Sequence, residues 1–421
     1  NWQPCPCQRR NDGVAPCPQV VDSQPARDNL VIPATTSRIT KAGLPPSKSH
    51  LIRWMLLASQ GEYAVRIEGV GGAAADACAM RDALIELGVE IVEDDGTWVV
   101  HGVGAKGFKC PTETLNLHNS ATSLRLITMA VTRVGEWVAL DGDATLESRI
   151  DRSFWESLGI GIAFDVDGRN LPMRVRGPIE EDSLTLNVGK TSQHLSALLL
   201  SMPASSNPLN LNIEGELVSR RHAELSFSLA NKCGSSNTIE NPVLRPWRCE
   251  PPTNVQIPPD ASHVAFWKLY EVLHNSIIDW PDVDDVDAIG AEVLRGLNLM
   301  GEQTIDLSDA NDLITPLSAA LAIGGGGRIV GASHARYKES NRIEQTRKML
   351  SAFSLEVEAT ADGFRIDGGH KPKSPIECVP TFGDHRMQMT AVILATKVGA
   401  EIEGARLHEV SFPEFLDYIH P

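Results

Sequence analysis

The chain alternates short polar clusters with apolar runs, and the alternation returns six times. Ser47-Lys48-Ser49-His50 leads into Leu51 to Ala58, Asn119-Ser120-Ala121-Thr122-Ser123 into Leu124 to Val131, and Thr191-Ser192-Gln193-His194 into Leu195 to Met202. Further on, Asp260-Ala261-Ser262-His263 precedes Val264 to Leu273, Asn311-Asp312 precedes Leu313 to Ile323, and Gly383-Asp384-His385-Arg386 precedes Met387 to Ala395. Apolar runs of this kind behind Ser, Thr, Asn or Asp predict capped helices. The first N–H groups of a helix lack intrahelical partners, and the helix dipole adds positive charge there. A helix start therefore suits phosphate or carboxylate. Several of the clusters add Lys or Arg within a turn, which a plain cap does not need. The six starts together predict a trap for anions.

A second pattern follows several of these runs. Asp82-Ala83-Leu84-Ile85-Glu86-Leu87-Gly88 reads as a helix with a Gly stop, Val89 to Ile91 as a strand, and Asp94-Asp95-Gly96 as a turn into a strand at Thr97 to Val100. Ser153 to Gly159 repeats the helix and stop, with Asp167-Gly168 leading to a strand at Leu171 to Val175. Arg347 to Phe353 is followed by a strand at Leu355 to Glu358, a turn near Asp362-Gly363 and a strand at Phe364 to Ile366. Gly after a helix and Asp-Gly between alternating strands are stop and hairpin signals. The unit is a strand, a capped helix, a second helix and a hairpin, repeated at roughly 70 residues with one shorter copy. Six such units make an α/β protein.

Composition narrows the partners. The 421 residues carry a formal charge of −16, with 42% hydrophobic and 22% charged residues. That length predicts two domains and that balance a soluble globular chain. The acidic surface argues against nucleic acid, yet a few cations gathered in a cleft can still hold a small anion. No apolar run reaches the roughly 18 residues of a membrane span. The 8 cysteines show no zinc-ligand spacing and read as reduced thiols of a cytoplasmic protein. Residues 1–29 are Pro-, Cys- and polar-rich without a signal-peptide core, and read as a tail or a surface strap. Nothing calls for a metal or an organic cofactor.

Three motifs then resemble one family. Leu44-Pro45-Pro46-Ser47-Lys48-Ser49-His50-Leu51-Ile52-Arg53, Lys338-Glu339-Ser340-Asn341-Arg342 and Gly383-Asp384-His385-Arg386-Met387 stand in the order seen in the 5-enolpyruvylshikimate-3-phosphate (EPSP) synthases. The resemblance runs from about Leu44 to the end. A sister family acting on UDP-N-acetylglucosamine fits worse, since it lacks the Ser-Lys-Ser and Asp-His-Arg-Met signatures. The resemblance implies a two-lobed inverse α/β barrel with three units per lobe. One lobe would span 47–259 and the other 30–46 plus 260–421, with the site in the cleft between them.

It also implies roles. Shikimate 3-phosphate would meet Lys48, Ser49, Arg53, Thr191, Ser192, Gln193, Ser219, Asp312 and Lys338. Of these, Thr191, Ser192 and Ser219 would take the phosphate, and Ser49 and Arg53 the carboxylate. Phosphoenolpyruvate would meet Lys48, Asn119, Arg125, Gln193, Arg342 and Arg386. Asp312 would be the base for a ring hydroxyl, Glu339 the proton donor and acceptor at the methylene carbon, and Lys48 a third catalytic group.

The sequence also departs from the family. Thr145 stands where the family carries Arg, with Arg149 matching a later family Arg. Val410 stands at the place of a late Lys, His222 at that of a Tyr, and Ala121 narrows the phosphoenolpyruvate pocket. Loss of two cations around one anion matters, because each charge-assisted bond is worth roughly 1.5–3 kcal/mol. The sugar-acid half thus reads as complete and the phosphoenolpyruvate half as eroded. Enolpyruvyl transfer, with nearby Arg149 or another cation compensating, is the first expectation. A lyase acting on shikimate 3-phosphate or a related cyclic acid, and a non-catalytic ligand-binding relative, stand as alternatives.

Overall fold

A computed structural model describes residues 29–36, 38–164, 167–283 and 289–419. The expected tail thus lies outside the described residues, except for Asn29. Two hydrophobic cores form. One gathers side chains from Leu51 to Ile257; the other joins Ile32, Ile39 and Ala42 to Val264 and onward to Ile419. The chain passes between them at adjacent points, where Pro46 and Pro259 form an antiparallel bridge. Ser47 N donates to Pro258 O at 2.8 Å and Asp260 N to Pro45 O at 2.8 Å, which fastens the two crossings together.

The apolar runs are unbroken because their helices lie inside. In Lys48–Gln60 everything from His50 onward is buried, and in Ile314–Ile323 everything but the last residue. A helix apolar on all faces must be covered on all faces. Ala121–Val131 packs on Gln193–Ser201, and Val264–His274 on both Ile314–Ile323 and His385–Val398. Sheets cover these internal helices, which is the inverse of an ordinary α/β barrel.

Three four-stranded sheets share one plan, a parallel pair extended by an antiparallel hairpin. Leu115–Asn116 pairs parallel with Val138–Asp141, which pairs antiparallel with Met173–Arg176 and thence Gly161–Ala163. Gln303–Asp306, Gly327–Val330, Phe364–Ile366 and Glu358–Ala359 follow the same order. In the first unit, Asn254–Gln256 supplies the parallel neighbour of Ala64–Glu68, so the last strand of the lobe closes onto its first sheet. Ile305, Ile329 and Phe364 point inward in register while Thr304, Arg328 and Arg365 face out, as a period of two demands.

The repeat is less even than its sequence pattern. Ser183–Asn187, Leu209–Glu214 and Val243–Leu244 make a three-stranded sheet, and Leu30–Ile32 pairs with Ala400–Ile402. The units of helices Val264–His274 and His385–Val398 show no four-stranded sheet among the described residues. The strand expected at 171–175 begins at Met173, since Pro172 has no N–H to give to a ladder. The strand expected at 355–358 is only Glu358–Ala359; Leu355 and Val357 pack inward instead. The turn at Asp95-Gly96 takes φ of 43° and 70°, the left-handed pair that a two-residue hairpin requires.

Candidate active site

Not every polar cluster caps its helix. Ser120, Asp260 and Asp384 accept from backbone N–H groups as expected. Ser47, Ser192 and Asn311 do not: Ser47 Oγ pairs with His50 Nδ1 at 2.9 Å, and Ala310 precedes the short helix Asn311–Leu313. Starts without a side-chain cap keep N–H groups available for another acceptor. The start of Lys48–Gln60 opens on a cleft lined by Lys48, Ser49, His222, Asp260, Ser262, Asp312 and Arg386, from both cores.

The densest charge cluster surrounds Arg342, which is 1% exposed. Its Nε lies 2.9 Å from Asp384 Oδ2, its Nη1 2.5 Å from Asp312 Oδ1, and its Nη2 2.5 Å from Glu339 Oε2. Lys338 Nζ stands 3.7 Å and Arg386 Nε 3.8 Å from Asp312 Oδ1. Arg386 is fixed by donating to Asp312 O at 3.1 Å and Ser262 Oγ at 2.9 Å. Burial alone would raise the Asp312 carboxyl, but Lys338, Arg386 and Arg342 outweigh it and hold the group well below its ordinary range. Burial is likewise outweighed at Glu339, by Arg342, Arg149, His385 and Lys48. Both acids are therefore carboxylates. Burial lowers Lys338, against the attraction of Asp312. Lys48 is paired with Asp76 at 2.8 Å; that carboxylate and Glu339 overcome burial and raise it.

A second cluster belongs to the first core. Arg125 Nη1 donates to Gln193 Oε1 at 2.5 Å and its Nη2 to Arg149 O at 3.0 Å. Arg149 Nη2 donates to Asn119 O and Oδ1, both at 2.7 Å, while Nη1 reaches Glu339 Oε1 at 3.4 Å. The turn that carries Thr145 thus brings a guanidinium to Glu339 from one helical turn later. Arg149 Nε rests on the Thr145 carbonyl at 3.1 Å. Val410 ends the short helix Leu407–Val410.

Thr191, Ser192 and Ser219 form the third group. Ser192 Oγ donates to Ser219 O at 3.1 Å, and Gln193 N to Thr191 Oγ1 at 3.2 Å. Arg53 lies behind the cleft, 1% exposed and pushed down to about 10 by burial. It donates to Ser226 Oγ at 2.7 Å, Ser49 O at 2.9 Å and His222 O at 3.2 Å, so it braces the helix starts around it. His222 is pushed down to about 3 by burial, with Lys338 and Arg53 beside it, and presents a neutral ring to the cleft.

Sequence reasoning missed the counter-acids, while it did single out Arg149 as a cation beside the Thr145 turn. Asp76 holds Lys48, Asp260 and Ser262 line the cleft, Asp384 holds Arg342, and Arg149 reaches Glu339. Asp384 sits inside a matched motif, which was a usable signal. Asp76 carries none, because it lies in a helix with no local pattern around it.

This geometry can be set beside known proteins. The family model for EPSP synthase (3-phosphoshikimate 1-carboxyvinyltransferase) matches residues 36–419. The chain belongs to the EPSP synthase family. A 3-phosphoshikimate 1-carboxyvinyltransferase of Methanocorpusculum labreanum is 29% identical over 399 residues, covering 88% of this chain and 93% of that protein. One from Methanothermobacter thermautotrophicus is 27% identical over 400 residues, covering 88% and 93%. Among solved structures, an EPSP synthase from Acinetobacter baumannii aligns with a TM-score of 0.69 at 22% identity, covering 92% of this chain and 96% of that one. The enolpyruvyl transferase NikO from Streptomyces tendae aligns at 0.68 and 15%, covering 93% and 96%. At those identities the structures show the fold alone, the two-lobed α/β architecture of the EPSP synthase family.

Proposed function

We propose that the protein transfers the enolpyruvyl group of phosphoenolpyruvate to the 5-hydroxyl of shikimate 3-phosphate and releases phosphate. The observation that carries this reading is the ring of Lys48, Lys338, Arg342 and Arg386 around Asp312 and Glu339, set where helix starts of two lobes meet. We take 47–259 as one lobe, 30–46 with 260–421 as the other, and the cleft between them as the active site. A binding module has no need of two buried carboxylates in an anion site, and their presence favours chemistry.

The proposed roles follow the electrostatics. Thr191, Ser192 and Ser219 receive the sugar phosphate, and Ser49, with Arg53 behind it, the carboxylate. Lys48, Asn119, Arg125, Gln193, Arg342 and Arg386 receive phosphoenolpyruvate, with Arg149 adding the charge that Thr145 and Val410 do not. Two bound anions neutralise the cations, which lets the carboxyl groups of Asp312 and Glu339 rise toward values useful for proton exchange. The ring hydroxyl gives its proton to Asp312 as its oxygen bonds to the central carbon of phosphoenolpyruvate. Glu339 protonates the methylene carbon, then takes a proton back as the carbon–oxygen bond to phosphate breaks.

Phosphorus NMR of the full chain with shikimate 3-phosphate, with and without phosphoenolpyruvate, tests the reading. Transfer consumes both substrates and frees phosphate only when both are present. Phosphate freed from shikimate 3-phosphate alone, or a shifted sugar-acid signal alone, would replace transfer with a lyase. No change in either signal would leave a binding protein.

A further inference from the structure

We propose that Asp309 is a positioning residue: from the second lobe it caps the helix Arg220–Lys232 of the first, tying the sugar-phosphate wall of the cleft to the segment that carries Asp312. The ligand named here rests on the enolpyruvyl-transfer reading; the cap itself does not.

Ser219 immediately precedes that helix in a left-handed conformation, φ 50°, and its own side chain makes no capping bond. A non-glycine residue holds that conformation only when its surroundings over-determine it. Here they do. Ser219 N donates to Ser308 O at 3.1 Å. Its carbonyl accepts from Ser192 Oγ at 3.1 Å, and its hydroxyl accepts from Asn311 Nδ2 at 3.5 Å. The next N–H, of Arg220, donates to Asp309 Oδ1 at 2.7 Å. Three of these four bonds come from Ser308, Asp309 and Asn311, a stretch that ends beside Asp312. Arg221 adds a charge contact across the same boundary, 3.5 Å from Glu292.

The consequence is mechanical. A helix start normally finds its acceptor in its own chain segment. This one finds it on the other lobe, so the first turn of Arg220–Lys232 is complete only when the lobes meet. Ser192 and Ser219, both buried, are locked to each other and through Ser219 to Ser308 and Asn311. Placing an anion against Ser192 and Ser219 and placing Asp312 over the cleft are then one event rather than two. Asp309 is half-buried and supplies a charge-assisted bond, the strongest of the set by length.

The test compares the full wild-type chain with Asp309→Ala and with Asp309→Asn, which can still accept the Arg220 N–H bond. Without ligand, deuterium exchange of peptides covering 217–223 is expected to speed up about tenfold in the Ala variant. Titration calorimetry is expected to show shikimate 3-phosphate bound about five- to tenfold more weakly, the loss of one helix cap. KM for the same ligand should rise in step with that loss while kcat stays within about twofold of wild type, and the Asn variant should restore affinity and KM to within about twofold. Urea midpoints that stay alike exclude general unfolding as the cause. Unchanged exchange in the Ala variant would overturn the cap. Faster exchange with unchanged sugar-acid affinity would overturn the positioning role. A wild-type chain that fails to bind shikimate 3-phosphate would sink the ligand reading and the positioning role with it, while the exchange measurement still decides the cap.

Discussion

Arg149 Nη1 lies 3.4 Å from Glu339 Oε1, a buried ion pair that joins a turn of the first lobe to a motif of the second. The same guanidinium holds both oxygens of Asn119 at 2.7 Å. A cation thus stands at the place where the Thr145 turn had read as depleted. Replacing Arg149 by Gln keeps hydrogen bonding but removes the charge. We expect kcat/KM for phosphoenolpyruvate to fall about 10- to 100-fold, the worth of one charge-assisted bond. Steady-state kinetics with saturating shikimate 3-phosphate measures this, and an unchanged value would remove Arg149 from the anion site.

Asp312 and Glu339 share Arg342 yet stand in different surroundings. Asp312 faces the open cleft with Lys338 and Arg386 near, whereas Glu339 lies deeper between Arg342 and Arg149. If each moves a proton, Asp312→Asn and Glu339→Gln should each lower kcat by about 10²- to 10⁴-fold. Sugar-acid affinity by calorimetry should change only a few-fold. Either variant retaining full turnover would withdraw that residue from the chemistry.

The Arg342–Asp384 pair is the most deeply buried ion pair among the described residues, at 1% and 0% exposure. Asp384 also caps its own helix at Arg386 N, 2.9 Å away, and receives Ser340 Oγ at 3.0 Å. Asp312 and Glu339 still pair Arg342 when Asp384 is removed, so the loss is that of the charge-assisted Nε bond and the helix cap, about 2–4 kcal/mol. Asp384→Ala should therefore show a large drop in the urea midpoint, with Asp384→Asn less affected because it keeps the cap. A near-wild-type midpoint for the Ala variant would mean the pair is dispensable.

Much of the site was legible because its parts are local. Lys48 with Ser49, Lys338 to Arg342 and Asp384 with Arg386 are contiguous motifs, and a helix start announces itself within a few residues. What escaped was pairing across distance. Asp76 meets Lys48 from the next helix, and nothing in its own surroundings marks it. Arg53 looks free in sequence, yet its donors go to Ser226, Ser49 and His222, two of which are remote. Uncapped starts were also invisible, since Ser47 and Ser192 are good capping residues that folding turns to other partners. The fold class followed from the repeat, but the repeat could not show which copies would lose strands.

The buried histidines make stability fall with acid earlier than the carboxylates do. His222 is pushed down to about 3, and His334 and His408 to about 4, in each case first by burial. In the unfolded chain they take up protons near 6.5. A depressed group contributes stability above its unfolded value and loses it as pH falls toward its folded value. Between about pH 6.5 and 5 the unfolded state therefore binds protons that the folded state refuses, and the free energy of unfolding declines by up to about 1.4 kcal/mol per pH unit for each such group. The depressed acids Asp312 and Glu339 add their own loss only below about pH 4, near the ordinary carboxylate range. The upper window thus isolates the histidines. His334 is the cleanest probe, because it is 3% exposed and both ring nitrogens lack a hydrogen-bond partner among the described residues. Urea unfolding at pH 7, 6 and 5 should show the decline in the wild type and a shallower one in His334→Gln, by up to one proton's worth of slope. Identical slopes in the two proteins would mean that His334 charges as readily inside the fold as outside it.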